Sequence, residues 1–435
     1  MTLSRREFLQ RSAITSLALG VPTLGLRTLA FAADGAEPMI LVVVHLRGGC
    51  DGFNLISPAN DATFIAARNA DLRVDADGGN AGFHLDNGLD PALDFRLHAA
   101  AKGLADIYTQ GQLAFVHAVG LTNETRSHFV ATDMIERGVA TQTAFARTDS
   151  GWLARYLEQR PAVATTGAIS VANAVSGELT NYSAALAVPT LDYGFSVPGG
   201  PVVANLLDDL YRPATGAVGD WGRRTLAAIQ TIDQRVRRDA QGKIIAYKPS
   251  GDSNYEAGAE LGRGLKNAAQ LIKMDIGLTA VSVELGGWDT HENQPGRFKN
   301  LVEKLSSGLS AFWNDTAAYH SRMVVITTTE FGRRLRSNRS NGTDHGRAGV
   351  MAILGGNVAG GRMFGTWPGL GQKQLDEGVD LAVTTDYRQV IAEVLAAHSG
   401  DNNSPTAAKN PLTKIFPEFE AASPLGLFAR VPAAT

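Results

Sequence analysis

The chain reads as an α/β protein built on a mostly parallel sheet. Three observations predict this. Continuous apolar runs such as Met39-Ile-Leu-Val-Val-Val-His45 lack period-two alternation, as expected of strands buried on both faces. Segments with helical apolar spacing stand between most of these runs. The runs also end in loops bearing glycine, aspartate and histidine, at the strand ends where open α/β sheets bind ligands.

At 435 residues there is room for one large domain or two ordinary ones. Hydrophobic content of 44%, charged content of 19% and 47 glycines suit a loop-rich globular protein. A net charge of −3, with no basic block, argues against nucleic-acid binding. Cys50 is the single cysteine, so no intramolecular disulfide can form; it is read as a small buried apolar residue.

Ser4-Arg5-Arg6-Glu7-Phe8-Leu9 is a twin-arginine pattern. An apolar stretch follows from Ile14 to Leu29, and Ala30-Phe31-Ala32 is a small-x-small cleavage site. Residues 1–32 are therefore read as a twin-arginine signal peptide, handed to the Tat translocase and excluded from the fold. That route exports folded proteins, which fits a periplasmic protein without disulfides. No other run reaches the roughly 18 apolar residues of a membrane span, so the mature chain is expected to have none.

The run 39–45 ends in Arg47-Gly-Gly-Cys-Asp-Gly-Phe-Asn54, which leaves Asp51 at a strand's carboxyl end or in a simple Asp-Gly turn. Residues 60–95 are polar and read as loop. Helical spacing spans Leu97 to Tyr108, and Gln112 to Val119 is a second buried strand. The segment Thr122-Asn-Glu-Thr-Arg-Ser-His128 leads into a helix through about Arg137, so Ser127 falls at a helix N-terminus. A serine there is either a cap that satisfies an orphan amide or a nucleophile beside an anion-attracting helix end. Residues 141–215 read as an inserted or covering subregion. Helical periodicity returns at 220–238 and 254–274.

The strand-like run from Leu278 to Leu285 ends in Gly286-Gly-Trp-Asp-Thr-His291. Two residues apart, Asp289 and His291 share a face if the extended backbone continues. Imidazole with carboxylate suits zinc or a similar divalent ion, while a polar loop with a capping aspartate is the plainer alternative. A helix over about 298–320 returns the chain to a strand at 323–329. That strand ends in Glu330, a Gly/Asn/Ser-rich loop carries His345, and the strand 350–355 follows. Thr385 and Asp386 cap a last helix to about His398. His84, His98, His117 and His398 show no partner pattern and read as structural or exposed.

At Gly48-Gly-Cys-Asp-Gly-Phe-Asn54, Arg126-Ser-His-Phe129, Gly287-Trp-Asp-Thr-His291, Thr329-Glu-Phe-Gly-Arg333 and Gly342-Thr-Asp-His-Gly346 the chain resembles the DUF1501 family of Tat-exported bacterial proteins. The resemblance runs from about residue 38 to the C-terminus, which implies a single domain over 38–435. DUF1501 in turn is similar to a remote branch of the alkaline phosphatase/sulfatase superfamily. This implies an α/β/α sandwich with metal ions at the strands' carboxyl ends and a hydroxyl nucleophile at a helix N-terminus. Carried over, Asp51, Asp289, His291, Glu330 and His345 become metal ligands for one or two divalent ions, zinc above all. Ser127 becomes the nucleophile, with Thr125 as competitor. Arg126 and His128 are expected to bind the substrate anion.

Two departures are plain. Phe331 stands where the superfamily has a histidine, so either Asp344 replaces that ligand or only one metal binds. There is no Cys/Ser-x-Pro-x-Arg motif, which disfavours a formylglycine-dependent sulfatase. The expected function is metal-dependent hydrolysis of small phosphate or sulfate esters. The alternative is a non-catalytic periplasmic binding or assembly protein on the same fold.

Overall fold

The computed structural model describes residues 39–86, 88–160, 166–398 and 412–428; the expected signal peptide, 1–32, lies outside them. Among the described residues the main sheet has nine strands: β1 Ile40–Leu46, β2 Leu113–Gly120, β3 Ala168–Ser170, β4 Ala185–Ala187, β5 Ala280–Leu285, β6 Met323–Thr328, β7 Gly349–Gly355, β8 Met363–Phe364 and β9 Thr385–Asp386. Their order is β8-β2-β7-β6-β1-β5-β3-β4, with β9 also paired to β2. The main helices are α1 Lys102–Thr109, α2 His128–Arg137, α3 Trp152–Glu158, α4 Gly200–Tyr211, α5 Gly216–Arg235, α6 Ala259–Lys273, α7 Gln294–Asp315 and α8 Tyr387–His398.

Strand β1 lies at the centre, parallel to both β5 and β6. All seven of its residues are buried, as the unbroken apolar run predicts. Ile40, Val42, Val44 and Leu46 join a core with Leu104 of α1, Leu265 of α6 and Phe312 of α7. Leu41 and Val43 join a second core with Met134 of α2, Trp152 of α3 and Val394 of α8. The fold is thus a three-layer α/β/α sandwich. Each aliphatic side chain sealed in these cores stabilises the fold by roughly 1.5–3 kcal/mol.

Strand β7 alone runs against its neighbours, antiparallel to β2 and β6. The cause is the connection. Between β6 and β7 the chain makes a loop with no crossover helix, and without a crossover the next strand must come back the other way. The loop between β6 and β7 and the loops after β1, β2 and β5 therefore meet at one edge of the sheet. The five motifs that carry the DUF1501 resemblance lie on them.

Residues 60–95 are less irregular than their polarity suggests. They contain a helix, Ala62–Ala67, and Phe83–His84 pairs with Phe95–Leu97, which also pairs with Ile56–Pro58. Pairings of two or three residues are too short for periodicity to reveal. Part of the 141–215 region is built into the main sheet, where it supplies β3 and β4. Thr385 and Asp386 form β9 before α8 begins.

Candidate metal centre

The centre is built on Asp289. Gly286–His291 is loop, not continued strand, and Gly287 has φ +97°. Beneath it Gly48 takes φ +118°, and a Cβ there would lie 2.5 Å from the Asp289 backbone nitrogen. Only glycine lets the β1 and β5 loops approach this closely.

Three imidazoles turn their Nε2 atoms toward Asp289 Oδ1: His291 at 3.0 Å, His345 at 3.2 Å and His128 at 3.4 Å. His291 Nε2 and His345 Nε2 are 2.9 Å apart. His128, Asp289 and His345 form one group of close ligand atoms, and His291 adjoins it through Asp289 and His345.

Each ring is held at its far nitrogen. His128 Nδ1 lies 2.7 Å from Glu330 Oε1, His291 Nδ1 lies 3.0 Å from Asp344 Oδ1, and His345 Nδ1 lies 2.9 Å from the Arg126 carbonyl. These partners can only accept, so each Nδ1 carries the proton and donates. The Nε2 lone pairs then face inward, against one another and against a carboxylate. His128 Nε2 is buried and makes no hydrogen bond. Bare lone pairs at such spacing repel, and a cation among them removes the repulsion. Imidazole nitrogens backed by carboxylate and carbonyl partners are the arrangement in which protein metal ligands are usually held, so the residues present fit a divalent metal.

The electrostatics agree. Burial would raise Asp289, but the hydrogen bond and charge of Arg333, with help from His345 and His291, hold it at about 2. Burial would also raise Glu330; His128 and the amides of Gly48 and Gly49 hold it below the usual carboxylate range. Glu330 pushes His128 up, while burial pulls His345 down.

Asp51 is a correction. It is fully buried and caps the one-turn helix Gly52–Leu55. Its oxygens accept from Arg68 at 2.6 and 3.0 Å and from Gln294 at 2.7 Å. Burial would raise this carboxyl, but the Arg68 charge keeps it below its ordinary value. With both oxygens spent on an arginine, it does not join the imidazoles. Arg68→Met is expected to cost roughly 3–5 kcal/mol, since it strands a buried carboxylate. Denaturant unfolding measures this, and a loss under about 1 kcal/mol would show that the pair contributes little.

Other expected roles move as well. Glu330 orients His128 and is not itself aimed at the cluster. Asp344 likewise holds His291. Arg126 is tied to Asp380 at 2.6 Å and Glu377 at 2.9 Å, so its guanidinium is not open to a substrate. Phe331 packs beside His128 and His345, with ring centres 4.8 and 4.7 Å away, and so forms a wall of the site. His128, expected to bind substrate, belongs with the ligand-type nitrogens.

Ser127 is the N-cap of α2, yet its side chain makes no capping bond. It is exposed, and Thr125 Oγ1 accepts from the Ser127 amide at 3.3 Å. The plain capping explanation for this serine therefore fails on geometry.

Arg333 was not singled out from the sequence. Its buried guanidinium donates to the carbonyls of Gly48, Gly49 and Thr343 and to Asp289 Oδ1, the last at 2.7 Å. It joins three loops. Its place three residues after Glu330 was the available signal.

Among known proteins, the family model described as "Protein of unknown function (DUF1501)" matches residues 261–412, which contain three of the five motifs. None of the curated proteins compared matches the chain. Among solved structures, the chain is similar to Ps i-CgsB in complex with k-i-k-neocarrahexaose: 8% identity, TM-score 0.39, covering 90% of this chain and 76% of that one. It is similar to the PsFucS1 sulfatase from Pseudoalteromonas sp., with 11% identity, TM-score 0.33 and coverage of 83% and 68%. It is similar to alkaline phosphatase from the Antarctic bacterium TAB5, with 9% identity, TM-score 0.28 and coverage of 74% and 92%.

Proposed function

We propose that this chain, with the DUF1501 pattern over residues 261–412, is an exported divalent-metal-dependent hydrolase of small phosphate or sulfate esters. The observation that carries the proposal is the set of three imidazoles, each anchored at Nδ1 and turned by Nε2 toward Asp289. His128, His291, His345 and Asp289 would hold the metal, and zinc suits this mixture of nitrogen and oxygen donors. A divalent ion bound there supplies positive charge that polarises an ester oxygen and eases deprotonation of a nucleophile.

The chain's own groups have separate tasks. Glu330, Asp344 and the Arg126 carbonyl fix the three rings. Ser127, next in sequence to His128, offers an uncommitted hydroxyl at the start of a ten-residue helix. The unpaired amides of that helix end favour an anion. Phe331 shields one side of the imidazoles. Export through the twin-arginine pathway to the periplasm, as a single domain over 38–435, belongs to the same proposal. No helix among the described residues is long and apolar enough to cross a membrane.

One observation favours the second reading, a non-catalytic binding or assembly protein. Arg333 places a full positive charge 2.7 Å from Asp289 Oδ1, where a metal would compete with it. Metal content with ester turnover separates the two. The hydrolase should carry at least about one equivalent of divalent metal after purification, since tight sites retain their ion. It should also release nitrophenol from nitrophenyl phosphate or sulfate. Less than roughly a tenth of an equivalent, with neither ester cleaved, would sink the hydrolase reading.

A further inference from the structure

Close to Glu330, across a cleft that it helps to line, lies a second set of ligand atoms. His45 Nε2, Glu136 and Glu178 each offer one atom, all within 4.8 Å of one another. They come from three elements: the end of β1, the last turn of α2 and the short helix Gly177–Leu179. His45 and Glu178 are buried, at 6% and 0% exposure.

The atoms that converge meet as ion pairs. His45 Nε2, Glu136 Oε1 and Glu178 Oε2 make no hydrogen bond. His45 Nε2 and Glu178 Oε2 are 3.0 Å apart, and Arg47 lies 2.6 Å from Glu136 Oε1 as an ion pair. The remaining atoms of the two buried groups are occupied. Thr328 Oγ1 lies 2.9 Å from His45 Nδ1, and Ser176 Oγ donates to Glu178 Oε1 at 2.8 Å. The backbone makes room as well: a Cβ on Gly177 would fall 1.9 Å from Glu136 Oε2, so this carboxylate rests where only glycine allows it. A cleft lined by His45, Arg47, Glu136, Thr328 and Glu330 adjoins the set.

The charges give the set a use. With His45 neutral, two carboxylates face one arginine, and a buried net negative charge is costly without a counter-ion. Either a proton on His45 or a metal ion balances it. One imidazole and two carboxylates, with His45 and Glu178 each oriented by a hydroxyl, form a donor set for a borderline divalent ion.

We infer that His45, Glu136 and Glu178 form a second divalent-cation site, suited to zinc or manganese and separate from the Asp289 centre. This rests on the geometry of the three groups and stands whether or not the chain hydrolyses esters. Arg47 pairs with both Glu136 and Glu284, so it would keep Glu284 as a partner when an ion takes Glu136.

The test is metal stoichiometry of the full chain, titrated with Zn²⁺ and with Mn²⁺ at pH 8 by calorimetry and checked by elemental analysis. The wild-type chain should bind one equivalent that Glu178→Gln removes and His345→Ala leaves in place. Glu136→Gln should weaken the same equivalent at least tenfold. If Glu178→Gln fails to fold by circular dichroism, Glu136→Gln decides, because that side chain sits at the rim. Stoichiometry and affinity unchanged in the folded glutamine variants would overturn the inference and leave the proton on His45 as the counter-charge. Loss of the His345-sensitive equivalent alone bears on the hydrolase proposal and not on this one.

Discussion

Ser127→Ala is expected to abolish ester turnover by at least ~10³-fold while leaving metal content unchanged. The separation follows from geometry. A capping serine normally contributes about 1 kcal/mol through its bond to an orphan amide. Ser127 makes no such bond, so its removal should barely affect unfolding. A large loss of activity with unchanged stability and metal would then be chemical in origin. Turnover that survives the change would move attack to Thr125 or to a solvent nucleophile. The Thr125 hydroxyl already accepts from the Ser127 amide, which makes it the weaker candidate.

The other large effect belongs to His345. His345→Ala should lower affinity at the Asp289 centre by more than the 10–100-fold typical of losing an outer partner, because a direct ligand goes. His345 touches both His291 and Asp289, so its loss opens the middle of the cluster. The choice of position matters. Removing Asp289 would also leave the buried Arg333 without its carboxylate, whereas His345 holds only the Arg126 carbonyl at its far nitrogen. Elemental analysis and cation titration read the result, and an unchanged affinity would show that the imidazoles hold no metal.

Much of this architecture was legible in the sequence. Strands sealed on both faces betray themselves as unbroken apolar runs, and β1, β2, β5, β6 and β7 all lie close to where those runs predict them. Asp289, His291 and His345 could be picked out because metal-binding residue types stand beside glycines at strand ends. Individual roles were harder. The fate of Asp51 depends on Arg68, seventeen residues away and buried only after folding, and no spacing rule connects the two. The pairing of Glu330 with His128 was hidden for the same reason: it spans 202 positions. The His45, Glu136 and Glu178 set was invisible because each residue reads alone as an ordinary strand, helix or loop side chain.

The long-range contacts around the candidate centre also bear on the order of folding. Glu330 reaches Gly48 across 282 positions, and Thr343 reaches Asp51 across 292. Contacts of such span are slow to form, because loop-closure entropy is lost before any contact repays it. A partly folded chain therefore has the histidines but not the Nδ1 partners that aim them. Ion capture at this centre should come late, after the loops that follow β1 and β6 have met.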